Sequence, residues 1–328
     1  MAKVIITGGT GFIGKHLVNR LLHYGKCSIA LVSNTHNFDS GFFGQIRPEE
    51  KSSLRLYTAD IRDKNEISKI FRNERADTCI HLAAKISVSD SIRNPGETMG
   101  INVKGTENIL EACYENEVCN FIFASSAAVY GDVKKLPIIE DCALNPLSPY
   151  GTSKMLAEQC ILSHSKSKKI KNSVILRIFN VYGRGQTSQS DVITKFAISL
   201  KNKLPPLIHG DGMHTRDFIS VNDVVDSFLL SSKLLEEKKK RTDDGFSSPF
   251  IFNIGTGIPT SISALAQKMI EIFHLDLKPV YQKEGETKGV ILHSYADITK
   301  AREILHFVPK IAIDEGLREM KDPMPIRK

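Results

Sequence analysis

Thr7-Gly8-Gly9-Thr10-Gly11-Phe12-Ile13-Gly14 follows directly on the apolar run Val4-Ile5-Ile6 and opens an amphipathic stretch over 11–23. A β-like segment, glycines at 8, 11 and 14, and then a helical segment form the pattern that binds a dinucleotide. A glycine at the turn allows positive φ, another lets the backbone approach a pyrophosphate, and the last lets helix pack tightly on strand. The helix N-terminus then offers free N–H groups and a partial positive charge to the phosphates.

Outward from this turn the same alternation continues. Short runs rich in β-branched and apolar residues recur at 4–7, 28–32, 54–58, 78–82, 120–124 and 173–178. Between them lie helical patterns at 11–23, 64–73, 103–116 and 149–163. Apolar runs without alternation predict strands buried on both faces, and strands separated by helices predict right-handed parallel crossovers. The fold class is therefore α/β: a doubly wound parallel (Rossmann-type) sheet. After about residue 181 the rhythm loosens, with Gly- and Pro-rich joints around helical stretches near 191–202, 221–235 and 260–273, which predicts a second, smaller mixed α/β substrate domain. The charged run from Lys233 to Asp244 reads as a solvated helix end and loop.

Composition narrows the class. The chain has 328 residues, 44 Lys+Arg against 37 Asp+Glu, a net charge of +7 and 41% hydrophobic residues, so it can bury a large core. That surplus suits an anionic substrate, but no basic stripe of the kind nucleic acid requires is present, and no apolar run reaches a membrane span of about 20 residues. The opening Met1–Thr7 runs straight into a strand with no room for a targeting peptide, and six scattered cysteines without a Cys-x-x-Cys pair read as thiols in a reducing compartment. Both point to the cytoplasm. No metal is expected, since His209, His214 and His293 lack ligand spacing.

The cofactor end holds one departure. The ribose 2′-hydroxyl is commonly bound by an acid about 20 residues past the glycines, yet Leu31-Val32-Ser33-Asn34-Thr35 places Ser33 there. A 2′-phosphate meets neither repulsion nor a neighbouring Arg or Lys, so NAD and NADP both stay open. Asp60 and Ile61 can bracket an adenine, whereas Asp63 reads as a helix cap.

Chemistry points to Tyr150-Gly151-Thr152-Ser153-Lys154. Tyr150 and Lys154 share one helix face, and a nearby ammonium together with a cationic nicotinamide would pull a phenol with pKa ~10 towards neutrality, giving a base for a hydroxyl proton. Ser126, 24 residues earlier at the C-terminal end of a buried strand, can hydrogen-bond the reacting oxygen.

With these residues in view, the chain resembles the extended short-chain dehydrogenase/reductase family, and within it the UDP-glucose 4-epimerase-like nucleotide-sugar enzymes. The resemblance rests on Thr7–Gly14, Asp60–Asp63, His81-Leu82-Ala83-Ala84, Asn102-Val103-Lys104-Gly105-Thr106, Ser125–Gly131, Tyr150–Lys154 and Arg177–Gly183. It continues through Gly210-Asp211-Gly212, Thr215–Ile219 and Phe252–Gly257. It implies a dinucleotide-binding domain over 1–180 plus about 217–255, and a nucleotide-sugar-binding domain over about 181–216 and 256–328. It implies NAD held by Gly8, Gly11, Phe12, Ile13, Gly14, Ser33, Asn34, Asp60, Ile61, Leu82, Ala83, Ala84, Asn102, Tyr150 and Lys154. Ser126, Tyr150 and Lys154 are then catalytic, Lys154 holding the nicotinamide ribose. A UDP-hexose would meet Lys85, Ser126, Asn180, Arg216, Lys283 and Ser294, with Asn180 and Arg216 on the diphosphate.

The implied reaction is 4-epimerisation, in which hydride leaves C4, the keto sugar turns about its diphosphate and hydride returns to the opposite face. Ala127-Ala128 stand where related dehydratases and decarboxylases carry an acid. A reductase or dehydratase of the same family, or a non-catalytic NAD(P)-sensing protein, are the competing readings. The Lys283-Glu284-Gly285-Glu286 segment puts an ammonium where the family has a phosphate-binding Arg, and the loop 287–293 is longer than the family pattern. By the same resemblance Ser294 falls at a position whose size limits the sugar's 2-substituent, and a small residue there implies room for a 2-N-acetyl group. Relatives pair through helices corresponding to 103–116 and 149–163, which implies a homodimer.

Overall fold

The computed structural model of the protein describes residues 2–25, 27–35, 46–186, 191–239, 249–283 and 291–321. Seven parallel strands form the main sheet: β1 Ala2–Thr7, β2 Cys27–Ser33, β3 Leu54–Thr58, β4 Thr78–His81, β5 Asn120–Ser126, β6 Asn172–Ile178 and, after three short strands, β10 Phe250–Ile254. Their order is β10-β6-β5-β4-β1-β2-β3, so the sheet is wound in both directions from the β1–β4 pair. The gap outside the C-terminal ends of β1 and β4 is where such sheets take ligands.

Both faces are covered, which is why most of these strands read as unbroken apolar runs. On one face the helices Phe12–Tyr24 and Val221–Lys239 bring Leu17, Val18, Leu22, Val224 and Phe228 against Ile6, Ile122 and Leu176. On the other, helices Lys64–Glu74, Gly105–Glu115 and Pro149–Lys166 bring Ile67, Phe71, Ile109, Ala157 and Ile161 against Ile5, Phe121 and Ile175. Each fully buried large side chain of this kind stabilises the fold by about 1.5–3 kcal/mol. β3 departs from the expectation of strands buried on both faces: Arg55, Leu56 and Thr58 are exposed, because an edge strand is covered incompletely.

The helix Pro149–Lys166 starts where local chemistry dictates. Ser148 takes an extended conformation and its hydroxyl accepts from the Gly151 N–H, while Pro149 occupies the first helical position, where a missing N–H costs nothing. The segment expected as one helix over 103–116 instead begins with a wide turn at Gly100–Lys104, formed by i→i+5 hydrogen bonds, before Gly105–Glu115 continues as an α-helix.

The smaller lobe is mixed. β7 Asn180–Tyr182 and β13 His293–Ser294 run parallel to β9 Thr215–Ser220, and β11 Pro259–Ser261 runs antiparallel to it. β8 Leu207–His209 pairs with β12 Val280–Gln282. Helices Val192–Lys201, Ile262–Phe273 and Ile313–Lys321 close around Phe196, Leu265, Met269 and Leu317. β9 spans the boundary expected near 217 and pairs wholly within this lobe, whereas Val221–Lys239 and β10 belong to the large sheet. Asp217 fixes the lobe internally: its buried carboxylate accepts from the N–H groups of Thr256, Gly257 and Ala296 and from the Thr256 hydroxyl. Residues 287–290 of the longer loop over 287–293, and the end of the charged run at 240–244, lie outside the described residues.

Candidate active site

A cavity of about 1240 Å³ runs from the glycine turn across the sheet edge into the smaller lobe. Its cofactor half is built by backbone shape. Gly8 has φ +72, and a Cβ there would lie 2.6 Å from the Ala83 nitrogen; a Cβ on Gly14 would lie 2.5 Å from the Gly8 carbonyl oxygen. The turn, the segment after β4 and the helix Phe12–Tyr24 can therefore meet only where side chains are missing. That helix starts at Gly11 without a side-chain cap and without an acid in its first turn. Gly11, Phe12, Ile13 and Gly14 line the cavity, so the free N–H groups of the first turn face an opening suited to an anion. These features fit a dinucleotide.

Ser33, Asn34, Asp60, Ile61, Leu82, Ala83 and Ala84 line the same half. The Ser33 hydroxyl bonds Thr10 at 2.8 Å and Thr35 at 3.2 Å. Asp60 carries the Arg62 guanidinium on its carboxylate, a pairing that holds its pKa below the usual range, while Asp63 caps Lys64–Glu74 by accepting from the N–H groups of Asn65 and Glu66.

Ser126, Tyr150 and Lys154 come together at the β5 end of the cavity. Ser126 ends β5 and accepts from the Ala128 N–H, turning the chain into a single 3₁₀ turn, and its hydroxyl meets the Tyr150 phenol. Lys154 donates to the Ala124 carbonyl at 2.8 Å and lies 4.7 Å from the Phe123 ring centroid. Burial lowers its pKa to about 7, against which the Glu158 carboxylate pulls upward. The expected lowering of the phenol pKa draws on a cationic nicotinamide as well as on Lys154, and the protein's own contacts set the starting point. Burial raises the Tyr150 pKa and only the Ser126 bond opposes it, because the ammonium is directed at Ala124.

His81 holds this end of the sheet rather than any substrate. The Thr106 hydroxyl donates to the Asn102 carbonyl, so His81 Nε2 donates to Thr106 at 3.0 Å and Nδ1 accepts from Thr7 at 2.6 Å. Burial drives its pKa to about 3, leaving a neutral ring with two threonine partners.

In the smaller lobe Asn180 and Arg216 line the cavity together with Lys195, Phe196 and His214. Arg216 meets no carboxylate among the described residues. Its guanidinium donates to the carbonyls of Thr215 and Ile291 at 2.8 Å and of Leu292 at 3.2 Å, while its neighbour Asp217 faces the Thr256–Gly257 turn. Lys85 also lines the cavity, paired with Glu97.

Three expected residues lie off the cavity. Asn102 is buried, and its amide grips the Lys85 backbone in both directions, accepting from the N–H at 2.7 Å and donating to the carbonyl at 2.9 Å, so it supports the lining from behind. Ser294 is buried in β13 beside Arg216, and Lys283 is exposed past the end of β12, at the start of the loop outside the described residues. Sequence reading missed Lys195 and Phe196, which face inward from a helix whose pattern reads simply as amphipathic, and Glu97, which becomes visible only once Lys85 is positioned.

Comparison with known proteins supplies the rest. The family profile described as GDP-mannose 4,6 dehydratase matches residues 5–320. A UDP-glucose 4-epimerase of Lactobacillus helveticus is 32% identical over 327 residues, covering 94% of this chain and 92% of its own. The structure of a UDP-N-acetylglucosamine 4-epimerase from Methanobrevibacter ruminantium, in complex with UDP-N-acetylmuramic acid, superposes with a TM-score of 0.85 at 30% identity, covering 98% of this chain and 97% of that one. A UDP-glucose 4-epimerase of Thermus thermophilus, in complex with NAD, gives a TM-score of 0.81 at 28% identity, with 98% of each chain covered. The glycine turn, the Ser-Tyr-Lys grouping and these matches over nearly the full length agree, and the chain belongs to the extended short-chain dehydrogenase/reductase family, among its UDP-glucose 4-epimerase-like members.

Proposed function

We propose that this protein is an NAD-dependent 4-epimerase of UDP-hexoses, acting on UDP-glucose and UDP-galactose and accepting their 2-N-acetyl counterparts. The observation that carries the reading is the convergence, in one cavity, of an uncapped helix N-terminus, the Ser126–Tyr150–Lys154 group and an arginine that meets no acid among the described residues. The relatives support UDP-sugars as substrates and NAD as cofactor.

Bound NAD supplies the acceptor and later the donor of the C4 hydride. Tyr150 takes the proton of the C4 hydroxyl on its phenol oxygen, in the phenolate form that the positive charge of bound NAD would favour against burial, and gives it back after the sugar has turned. Ser126, whose hydroxyl lies beside the phenol, hydrogen-bonds the same sugar oxygen and keeps base and substrate in line. Arg216 holds the diphosphate through its planar fork, with Asn180 beside it. Ala127 and Ala128, which follow Ser126, carry no side-chain hydrogen-bonding group, in keeping with a loosely held sugar. Firm grip on the nucleotide with little on the hexose is what rotation of a keto intermediate requires. The same alanines weigh against dehydration or decarboxylation, which need an acid or base near C5 or C6.

Incubating the protein separately with UDP-glucose, UDP-N-acetylglucosamine and UDP-glucuronate and resolving the epimers tests this. Inversion at C4 of the first two is expected. No inversion of any of them, or loss of water with a keto product accumulating, overturns it. Tyr150→Phe should lower turnover by about 10²–10⁴-fold while NAD content stays near that of the parent protein.

A further inference from the structure

Tyr150, Lys154 and Glu158 are spaced four apart on one face of the helix Pro149–Lys166, and the third member has no part in the reaction as described. Glu158 is buried, and its carboxylate is fully occupied. Arg177 of β6 sends Nε to Oε1 at 3.1 Å and Nη2 to Oε2 at 2.8 Å, and the Ser125 hydroxyl donates to Oε1 at 2.5 Å. Ser125 immediately precedes Ser126, and Ala124, one residue further back, accepts from Lys154. One carboxylate thus ties the catalytic helix to the strand end that carries the serine and to the strand that leads to Asn180.

The arrangement continues behind it. Arg177 Nη1 donates to the Tyr130 hydroxyl at 3.0 Å and to the Glu140 carbonyl at 2.8 Å, and Tyr130 donates to Asn253 Oδ1 at 2.6 Å. Buried ion pairs of this kind are expensive to desolvate and often contribute little to net stability, so their presence beside a reactive group calls for another reason.

We propose that Glu158 is a positioning residue: its bonds to Ser125 and Arg177 tie the helix to β5 and β6 and hold Lys154 in register with Tyr150 and Ser126. This rests on the reading of the cavity as an NAD site. The charged and titratable groups around Lys154 are few: Tyr150 and Glu158 on its own helix, and neutral His81 from β4. Around Glu158 they are Lys154, Arg177 from β6 and Tyr130 after β5, with Glu140 on the far side of Arg177. Among these, Glu158 is the group that opposes the burial of the Lys154 ammonium, which otherwise favours the neutral amine. The Arg177 bonds hold the carboxylate in place, and Ser125 fixes the rotamer from the strand side.

The test is the pH dependence of NAD affinity, measured by calorimetry on the parent protein and on Glu158→Gln, with the kcat/KM profile for UDP-glucose alongside. Loss of the carboxylate should shift the alkaline loss of NAD affinity to lower pH by about one unit or more, and move the alkaline limb of kcat/KM with it. A variant with reduced affinity or turnover but an unshifted profile has lost only packing, and that result overturns the proposal. So does a variant indistinguishable from the parent. Should Glu158→Gln leave Arg177 unpaired and the protein unfolded, the double variant Glu158→Gln/Arg177→Gln carries a neutral amide pair; a shift in the same direction, smaller because the Arg177 charge goes with it, is expected, and an unshifted profile is fatal. The binding profile is read without turnover, so a parent that binds NAD but inverts no sugar counts against the 4-epimerase reading and leaves this test intact.

Discussion

Arg216 gives the residue scale its sharpest prediction. A guanidinium partly withdrawn from water and spending its donors on backbone carbonyls retains its full positive charge, and burial pushes its pKa down. A diphosphate facing it would form charge-assisted bonds, each contributing about 1.5–3 kcal/mol. Arg216→Ala should therefore raise KM for UDP-glucose roughly 10–100-fold, with a smaller change in kcat, and Arg216→Lys should recover only part because a point charge replaces a fork. Steady-state kinetics on both variants check this. At this scale the sequence was legible where chemistry depends on short spacing. Tyr150 and Lys154 stand four apart in a helix, and the glycines stand in one turn, so their neighbours are known before any fold. Ser294 and Lys283 were not legible, since their surroundings are set by a strand of two residues and a long loop, where register rather than spacing decides which way a side chain goes. That Arg216 avoids Asp217 follows from strand alternation: successive side chains on β9 point to opposite faces.

At the scale of elements, the helix Phe12–Tyr24 and the wide turn Gly100–Lys104 behave differently under the same sequence logic. The first is announced by its glycines. Gly14→Ala would force a Cβ to within 2.5 Å of backbone at Gly8 and Gly9, which should cost about 1–3 kcal/mol of stability and weaken NAD binding by pushing the N-terminus off the turn. Thermal unfolding with and without NAD measures both effects; an unchanged NAD affinity would contradict the role assigned to that N-terminus. The wide turn, by contrast, leaves the apolar periodicity of the segment almost unchanged, and only coordinates reveal that it turns Asn102 inward onto Lys85. Asp217 makes a similar point. Asn at 217 keeps one acceptor oxygen where two now serve four donors, so Asp217→Asn should lower stability by about 1–3 kcal/mol, read as a fall in Tm.

For the whole molecule, strand order β10-β6-β5-β4-β1-β2-β3 brings the glycine turn, the serine at the end of β5 and the tyrosine helix to one edge, and the smaller lobe closes that edge with Arg216 and Phe196. The parallel sheet was legible because burial on both faces writes itself into unbroken apolar runs; the contour of the second lobe was not, because its strands are two to six residues long and its sheet joins four distant segments. Apolar side chains remain uncovered beside and on the helices Gly105–Glu115 and Pro149–Lys166, among them Ile92, Tyr114 and Leu162. A homodimer joined through these helices is the expected state, and light scattering should give twice the chain mass, falling to one for Tyr114→Glu/Leu162→Glu. A parent protein that runs as a monomer at micromolar concentration would contradict it.

Hydride withdrawn from C4 and returned within one cavity is the centre of the account, and a solvent-isotope experiment reads it directly. The protein as purified, with no cofactor added, is incubated with UDP-glucose in D₂O and followed by proton NMR. The expected result is UDP-galactose that keeps protium at C4, since the hydrogen never leaves as a proton. Deuterium at C4 of the product, or no galacto epimer after long incubation with protein shown to carry NAD, would contradict it.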